Sequence, residues 1–230
     1  MGTRTSKAER PVIVAWDTCT TRGVLAVGAG ERLLAGEYFQ SVKGHTGWLM
    51  SRMDSVLRGL GLSPSDIDYV AVGTGPGTFT GVKVGVACAK ALSFGLKRPL
   101  AALATLDVLA AAAPPGADVV LSTIDARRGQ LYAALYRRAG RHRERLTDFT
   151  CTTPEKVARM VAATRFKELA VVGESPGDLT VAMGGSGKVV AVKDPYPGAQ
   201  ALIELARHTV RAGELSDALE VSPIYLKKPT

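Results

Sequence analysis

The sequence predicts an α/β protein built from two halves of like topology, the second one reduced. Three observations predict it. Two apolar strands each end in aspartate and turn into a hairpin partner: residues 11–16 (PVIVAW) lead to Asp17 and the turn DTCTTRG, and residues 119–124 (VVLSTI) lead to Asp125 and the turn ARRG. The order strand–hairpin–strand–strand–helix–strand follows each of them, which is an internal duplication. Between the two, Ala113-Pro114-Pro115-Gly116 breaks the chain, so the expected units are 11–113 and 117–230, after a polar tail at 1–10.

In the first half, residues 24–27 and 33–40 flank a Gly28-Ala29-Gly30-Glu31 hairpin. A helix over 46–60 carries Leu49, Met50, Met53, Val56, Leu57 and Leu60 on one stripe, with Trp48, Arg52 and Ser55 on a second face. Ser63-Pro64-Ser65-Asp66 starts one short turn. A buried strand at 99–103 precedes a helix over 105–113, with Thr105 as its expected cap. In the second half the strand 131–136 runs into a basic hairpin at 137–145 and a strand at 146–150. Thr153-Pro154-Glu155 opens a helix to about residue 163, followed by a strand at 169–172. Residues 173–188 read mostly as loop, before a strand at 189–192 and a helix over 199–211.

The stretch VAVGTGPGTFTGVKVGVACAKALSFGL, residues 70–96, organises the chain. A buried strand ends at Gly73, a loop of three glycines follows, and Thr78 or Thr80 caps a long helix. Gly81, Gly85, Ala89 and Ser93 recur every four residues, a ridge that a second helix can approach backbone to backbone. Two interior glycines each cost about 1 kcal/mol relative to alanine, so the ridge implies a close-packing surface, inside this subunit or against another.

The composition of the 230 residues, 46% hydrophobic and 22% charged, is that of a globular protein with a sizeable core. No apolar run approaches the ~20 residues of a membrane span. Cys19, Cys88 and Cys151 have no CxxC spacing, which argues against a disulfide framework or zinc site and suits a reducing, cytoplasmic setting. The net charge of +8 is compatible with polyanion contact. The arginine-rich hairpin, with Arg138, Arg141 and Arg143, is either a phosphate-contacting stripe or a charged edge that discourages strand pairing.

The glycine loops fail the phosphate signatures when counted. The third glycine of GxGxxG falls at Thr78, and the earlier glycine of a Walker A loop falls at Ala182. His45, His142 and His208 form no HExxH or HxxxH pair, and no nucleophile–base pair or GxSxG elbow occurs, so no catalytic residue is assigned. Asp17, with Thr18, either holds magnesium near a phosphate or hydrogen-bonds its own turn; Asp125 either faces it or pairs with Arg127.

The layout resembles the actin–Hsp70–sugar kinase superfamily, two ribonuclease-H-like halves that clasp a nucleotide, and DTCTTRG resembles its first phosphate loop with Cys19 in place of a glycine. The block VAVGTGPGTFTGVKVGVACAKAL closely resembles the signature of the TsaB, or YeaZ, family of tRNA threonylcarbamoyladenosine biosynthesis proteins. IVAWDTCT at 13–20, ALATL at 102–106, IDAR at 124–127, VGE at 172–174 and PIYLK at 223–227 agree in order. Thr46-Gly47-Trp48 stands where serine–glutamate–leucine is more usual.

The resemblance implies a noncatalytic partner of the related enzyme TsaD, lacking that enzyme's HxxxH metal pair. With TsaD and the ATPase TsaE it would serve transfer of a threonylcarbamoyl group to the adenosine beside a tRNA anticodon. It would need no cofactor of its own, ATP and metal belonging to the partners, and would meet tRNA through the complex. The helices at 46–60 and 78–94 would pack against the matching pair of TsaD or of a second copy, through Trp48, Leu49, Arg52, Met53, Val56, Thr78, Gly81, Val82, Gly85 and Ala89. The alternative is a small ATP-dependent kinase or ATPase of the same superfamily that uses Asp17.

Overall fold

A computed structural model describes residues 10–40, 46–140, 142–174, 187–192, 194 and 196–227, with the side chains of residues 46 and 47 outside the description. The tail 1–9, His45, Arg141 and most of the expected loop at 173–188 lie outside it. Strands β1 (Val12–Asp17), β2 (Arg22–Ala29), β3 (Arg32–Gln40), β4 (Tyr69–Gly73) and β5 (Leu100–Leu103) form one sheet in the order β3-β2-β1-β4-β5. Strands β6 (Val119–Asp125), β7 (Leu131–Ala139), β8 (His142–Arg145), β10 (Glu168–Gly173) and β11 (Lys188–Ala191) form a second sheet in the order β11-β10-β6-β7-β8, and β9 (Thr150–Thr152) pairs with β7. In each sheet the aspartate-ended strand sits at the centre, antiparallel to its hairpin partner and parallel to the strand on its other side. Every residue of β1 is buried, as its uninterrupted apolar run requires of a strand covered on both faces.

Among the described residues, five helices cover these sheets: α1 (Thr46–Gly59), α2 (Phe79–Leu96), α3 (Thr105–Ala111), α4 (Pro154–Ala162) and α5 (Ala199–Arg211). The apolar stripe of α1 (Leu49, Met53, Leu57) and the inner side of α2 (Val82, Val86) pack with Val14, Trp16 and Leu25 on one face of the first sheet. On the other face lies α5, where Leu202, Ile203 and Ala206 meet Ile13, Ala15, Val24 and Ala26. Gly28 and Gly36 seat that helix, since a Cβ at either would fall inside 3.0 Å of Ile203 or Ala199. Conversely α3, from the first half, buries Leu106, Leu109 and Ala110 against Val120, Ile124 and Tyr136 of the second sheet, whose far face carries Val157 and Val161 of α4.

Each half thus lends a helix to the other's sheet, with α3 and α5 in contact between the two sheets. Helix α5, in the expected unit 117–230, packs on the first sheet, and the segment after it stays there, Ser216 N donating to Leu100 O (2.8 Å) and Ile224 N to Thr74 O (2.8 Å). Two expectations change. Ala104, not Thr105, holds the cap position of α3. The strand expected at 146–150 is interrupted because the Thr147 hydroxyl accepts the Leu135 N–H (3.0 Å) in place of a ladder carbonyl.

Cross-packing of this kind predicts one cooperative unfolding transition for both halves. Ile203→Ala should cost about 2–4 kcal/mol, and urea curves followed by fluorescence of Trp16 and Trp48, both in the first half, should coincide with far-ultraviolet circular dichroism.

Candidate functional site

Three regions carry the residues singled out in the sequence: the end of β1 beneath the α2 helix, the outward side of the α1–α2 pair, and the arginine hairpin.

At the first, the carboxyl of Asp17 accepts the Cys19 N–H through Oδ1 (2.8 Å), closing an Asx turn over its own loop. Its Oδ2 lies against Gly73 and makes no hydrogen bond among the described residues, although the Thr105 hydroxyl is close by. Asp17 is fully buried, and burial pushes its carboxyl above the usual range against the opposing pull of the Cys19 N–H. The Cys19 thiol, also fully buried and beside that carboxyl, is raised well above its ordinary value by burial and then by Asp17; its Sγ donates to Gly73 O (3.3 Å). Neither group is placed as a nucleophile or as a cation ligand open to a cleft.

What covers this turn is the glycine series itself. A Cβ at Gly73 would strike the Asp17 side chain, one at Gly77 the Cys19 carbonyl, one at Gly81 the Thr18 carbonyl and one at Gly85 the Thr18 hydroxyl, each inside 3.0 Å. Hydrogen bonds lock the contact: Thr18 Oγ1 donates to Gly81 O (2.6 Å), Thr78 N to Cys19 O (2.6 Å) and the Trp16 indole N–H to Gly85 O (3.0 Å). The fourfold spacing therefore serves a contact within the subunit. This corrects two expectations. Gly81, Gly85 and Ala89, together with Val82, Leu49, Met53 and Val56, are buried in the first half's own core and present no face to a partner. Asp17 and Thr18 lie buried beneath backbone, not open to a cleft as the expected magnesium carboxylate beside a phosphate would be.

The mouth between the halves is bridged as well. Thr21 donates to Glu174 Oε1 (2.5 Å), and its oxygen lies 3.2 Å from the Tyr196 hydroxyl. The Arg22 guanidinium bonds both oxygens of Asp194 (2.6 and 2.5 Å) and lies between the rings of Tyr38 and Tyr196, 4.7 and 4.5 Å from their centroids. In the second half Asp125 accepts Arg127 N (2.8 Å) and pairs with its guanidinium (3.3 Å), the structural ion pair expected there. No group of three or more His, Cys, Asp or Glu side chains placed to hold a metal occurs among the described residues.

The outward side of the helix pair is different. With its glycines turned inward, α2 presents Thr80, Ala87, Ala91 and Phe94 to solvent, and Phe94 is 70% exposed. Among the described residues α2 alone is long and apolar enough to cross a membrane by length and composition, yet its inner side is a core surface. Phe79 stacks on Tyr225 at its start (5.7 Å between centroids), both rings half-exposed. Of the interface residues expected from the sequence, Trp48 and Arg52 do face outward, Trp48 against Phe39 (4.4 Å) and Arg52 paired with Glu37; Thr78 is half-buried at the helix cap. Sequence reading missed the 80–84–87–91–94 stripe because the small-residue ridge drew attention to the opposite side. The mostly apolar composition of α2, with Lys83 and Lys90 its only charged residues, was the available signal.

The arginine hairpin has work within the chain. Arg143 donates to Ala117 O (2.7 Å) and Pro114 O (2.8 Å), and Arg138 donates to Pro115 O (2.7 Å), so two of the three expected RNA contacts tie down the break between the halves; Arg141 lies outside the described residues. Burial, then the neighbouring Arg138, lowers the Arg143 pKa. The third intramolecular anchor is Tyr136, whose hydroxyl donates to Asp107 of α3 (2.7 Å) and whose pKa burial raises.

Two predictions follow from the Asp17 turn. Gly81→Ala should cost about 3 kcal/mol by thermal or urea unfolding, because the clash is with a backbone carbonyl, whereas Gly95→Ala, with open space around it, should be neutral or gain up to about 1 kcal/mol. The raised Asp17 carboxyl favours the fold fully below its ordinary value of 3.8 and loses that contribution as pH rises above it, so Asp17→Asn should gain stability over the parent progressively as pH is raised from 3.8.

Comparison with known proteins agrees with this architecture. Residues 40–201, well over half of the chain, match the family model described as TsaD: tRNA N6-adenosine threonylcarbamoyltransferase. The tRNA threonylcarbamoyladenosine biosynthesis protein TsaB of Haemophilus influenzae is 28% identical over 227 residues, 94% of this chain and 93% of that protein. TsaB of Bacillus subtilis is 33% identical over 124 residues, 54% of each chain, so this match spans about half of that relative's length. The solved YeaZ from Pseudomonas aeruginosa superposes with a TM-score of 0.80 at 28% identity, covering 94% of this chain and all of that one. A ROK hexokinase from Thermus thermophilus, at TM-score 0.50 and 13% identity over 84% of this chain and 97% of its own, shares the fold alone. A turn plugged by its own glycine helix, in a chain matched end to end by YeaZ, places the protein: it belongs to the TsaD family, on the TsaB (YeaZ) side of it.

Proposed function

We propose that this chain takes part in threonylcarbamoyladenosine modification of tRNA as a noncatalytic partner of a TsaD-type transferase. The names carried by its relatives support the pathway. The observation that carries the partner role is the uncovered side of the helix pair: a stripe of small and aromatic residues, Thr80, Ala87, Ala91 and Phe94 on α2, beside Trp48 and Arg52 on α1.

Small residues in such a stripe let a second helix pair approach closely while the aromatics supply the buried area, in an interface of about 800 Å² per partner. A transferase of the same fold would offer a matching helix pair, and a second copy of this chain would offer the same surface. Homodimer and heterodimer therefore compete for one face. A TsaE-type ATPase would join through the assembled pair, and nucleotide and metal would sit on those partners, inside the cytoplasm where tRNA is modified. The buried Asp17 turn supports the same division of labour, since the turn that resembles the superfamily's first phosphate loop is covered here by the backbone of Gly77, Gly81 and Gly85.

The test is co-purification with TsaD and formation of modified tRNA by the reconstituted proteins. Ala87→Arg and Ala91→Arg, both at exposed positions, should leave the melting temperature unchanged and abolish both readouts. Complex formation and modification at parental levels in both variants would overturn the proposal.

A further inference from the structure

A groove of about 370 Å³ lies far from the Asp17 turn, where the β2–β3 hairpin meets the last turn of α5. Four guanidinium-bearing side chains line it: Arg10 and Arg32 from the first half's edge, Arg207 and Arg211 from α5. Only one carboxylate, Glu31, stands among them, so the lining carries three net positive charges. Arg207 is fixed: its side chain is 12% exposed, its Nη1 donates to Gly30 O (3.1 Å), and Glu31 lies 3.8 Å away. Arg211 pairs with Glu31 on the surface, both side chains two-thirds exposed, a kind of ion pair worth little in water and readily exchanged for another anion. Arg10 and Arg32 are exposed, with the Arg10 stem packed along Gly30.

The positive surface does not end at the groove. His208, next to Arg207, stacks on His142 at the start of β8 (4.1 Å between centroids), so the groove abuts the arginine hairpin of the second half. A chain with a net charge of +8 has placed this arginine-lined groove, with its single carboxylate, beside that hairpin.

We propose that this groove binds the phosphate backbone of RNA, with Arg207 as its fixed floor and Arg10, Arg32 and Arg211 closing on successive phosphates. The inference rests on the tRNA-modification role proposed above and gives this chain a direct share in holding the nucleic acid. Such contacts position RNA without reading its sequence.

The experiment measures binding of a tRNA transcript to the full-length chain by fluorescence anisotropy across about 50–200 mM KCl. Arg32→Gln with Arg211→Gln should weaken binding roughly tenfold and lower the slope of log affinity against log salt by about 2. Removing the same charge elsewhere, with Arg128→Gln and Arg165→Gln, should do much less. Equal losses from the two pairs, or no loss from the groove pair, would overturn the proposal. Inorganic phosphate and ATP, added at matched ionic strength, distinguish the alternative source of phosphate: displacement of RNA by either would make this a small-anion pocket and would equally overturn it. The groove variant should still co-purify with TsaD. Unchanged RNA binding beside intact TsaD capture sinks the groove alone, whereas groove-dependent RNA binding without TsaD capture sinks the partner role alone.

Discussion

The structure depends on backbone meeting backbone between the Asp17–Cys19 turn and α2. Four glycines at intervals of four residues remove the side chains that would hold the two apart, and Thr18, Thr78 and Trp16 convert the approach into hydrogen bonds. Because this contact fixes which side of α2 turns inward, it also fixes which side is left over. The proposed partner face is the complement of the glycine ridge. The same contact buries the Asp17 turn, so the sealed turn and the uncovered side of α2 have a single cause.

The two halves are held as one body by exchange. Helix α3 completes the core of the second sheet and α5 that of the first, while Tyr136–Asp107, Thr21–Glu174 and Arg22–Asp194 cross between them. Hinged closing around a nucleotide needs halves that move apart, and these bonds oppose it. Arg138 and Arg143 add to the rigidity by holding the Pro114–Ala117 carbonyls at the crossover. A scaffold that presents a docking face benefits from such stiffness, because less ordering remains to be done on binding.

Much of this was legible in the chain. The aspartate-ended apolar strands, their hairpins, the duplication and all five helices follow from local pattern, since each is fixed by burial on a sheet with period 2 or 3.6. The glycine ridge was legible too, but not its direction: spacing states that something comes close, and only the fold states that it is Thr18 and not a foreign helix. Asp17 shows the same limit, because an Asx turn and a magnesium site begin from the same residues and differ in burial. The basic groove could not be read at all. Arg10, Arg32, Arg207 and Arg211 are far apart in sequence and meet only because α5 crosses to the other half, while the hairpin arginines, conspicuous as a run, turn out to bond the chain's own carbonyls.

The crossing of α5 also bears on how the protein is made. As the ribosome releases the chain from its amino terminus, β1 to β5 can pair early, yet the sheet face formed by Ile13, Ala15, Val24 and Ala26 stays bare until residues 199–211 emerge. Synthesis at some 5–20 residues per second leaves that greasy surface uncovered for several seconds. The nascent polypeptide is therefore a natural client for chaperones that shield apolar sheets, and gene truncations upstream of the final helix would yield sticky fragments in place of a small working domain.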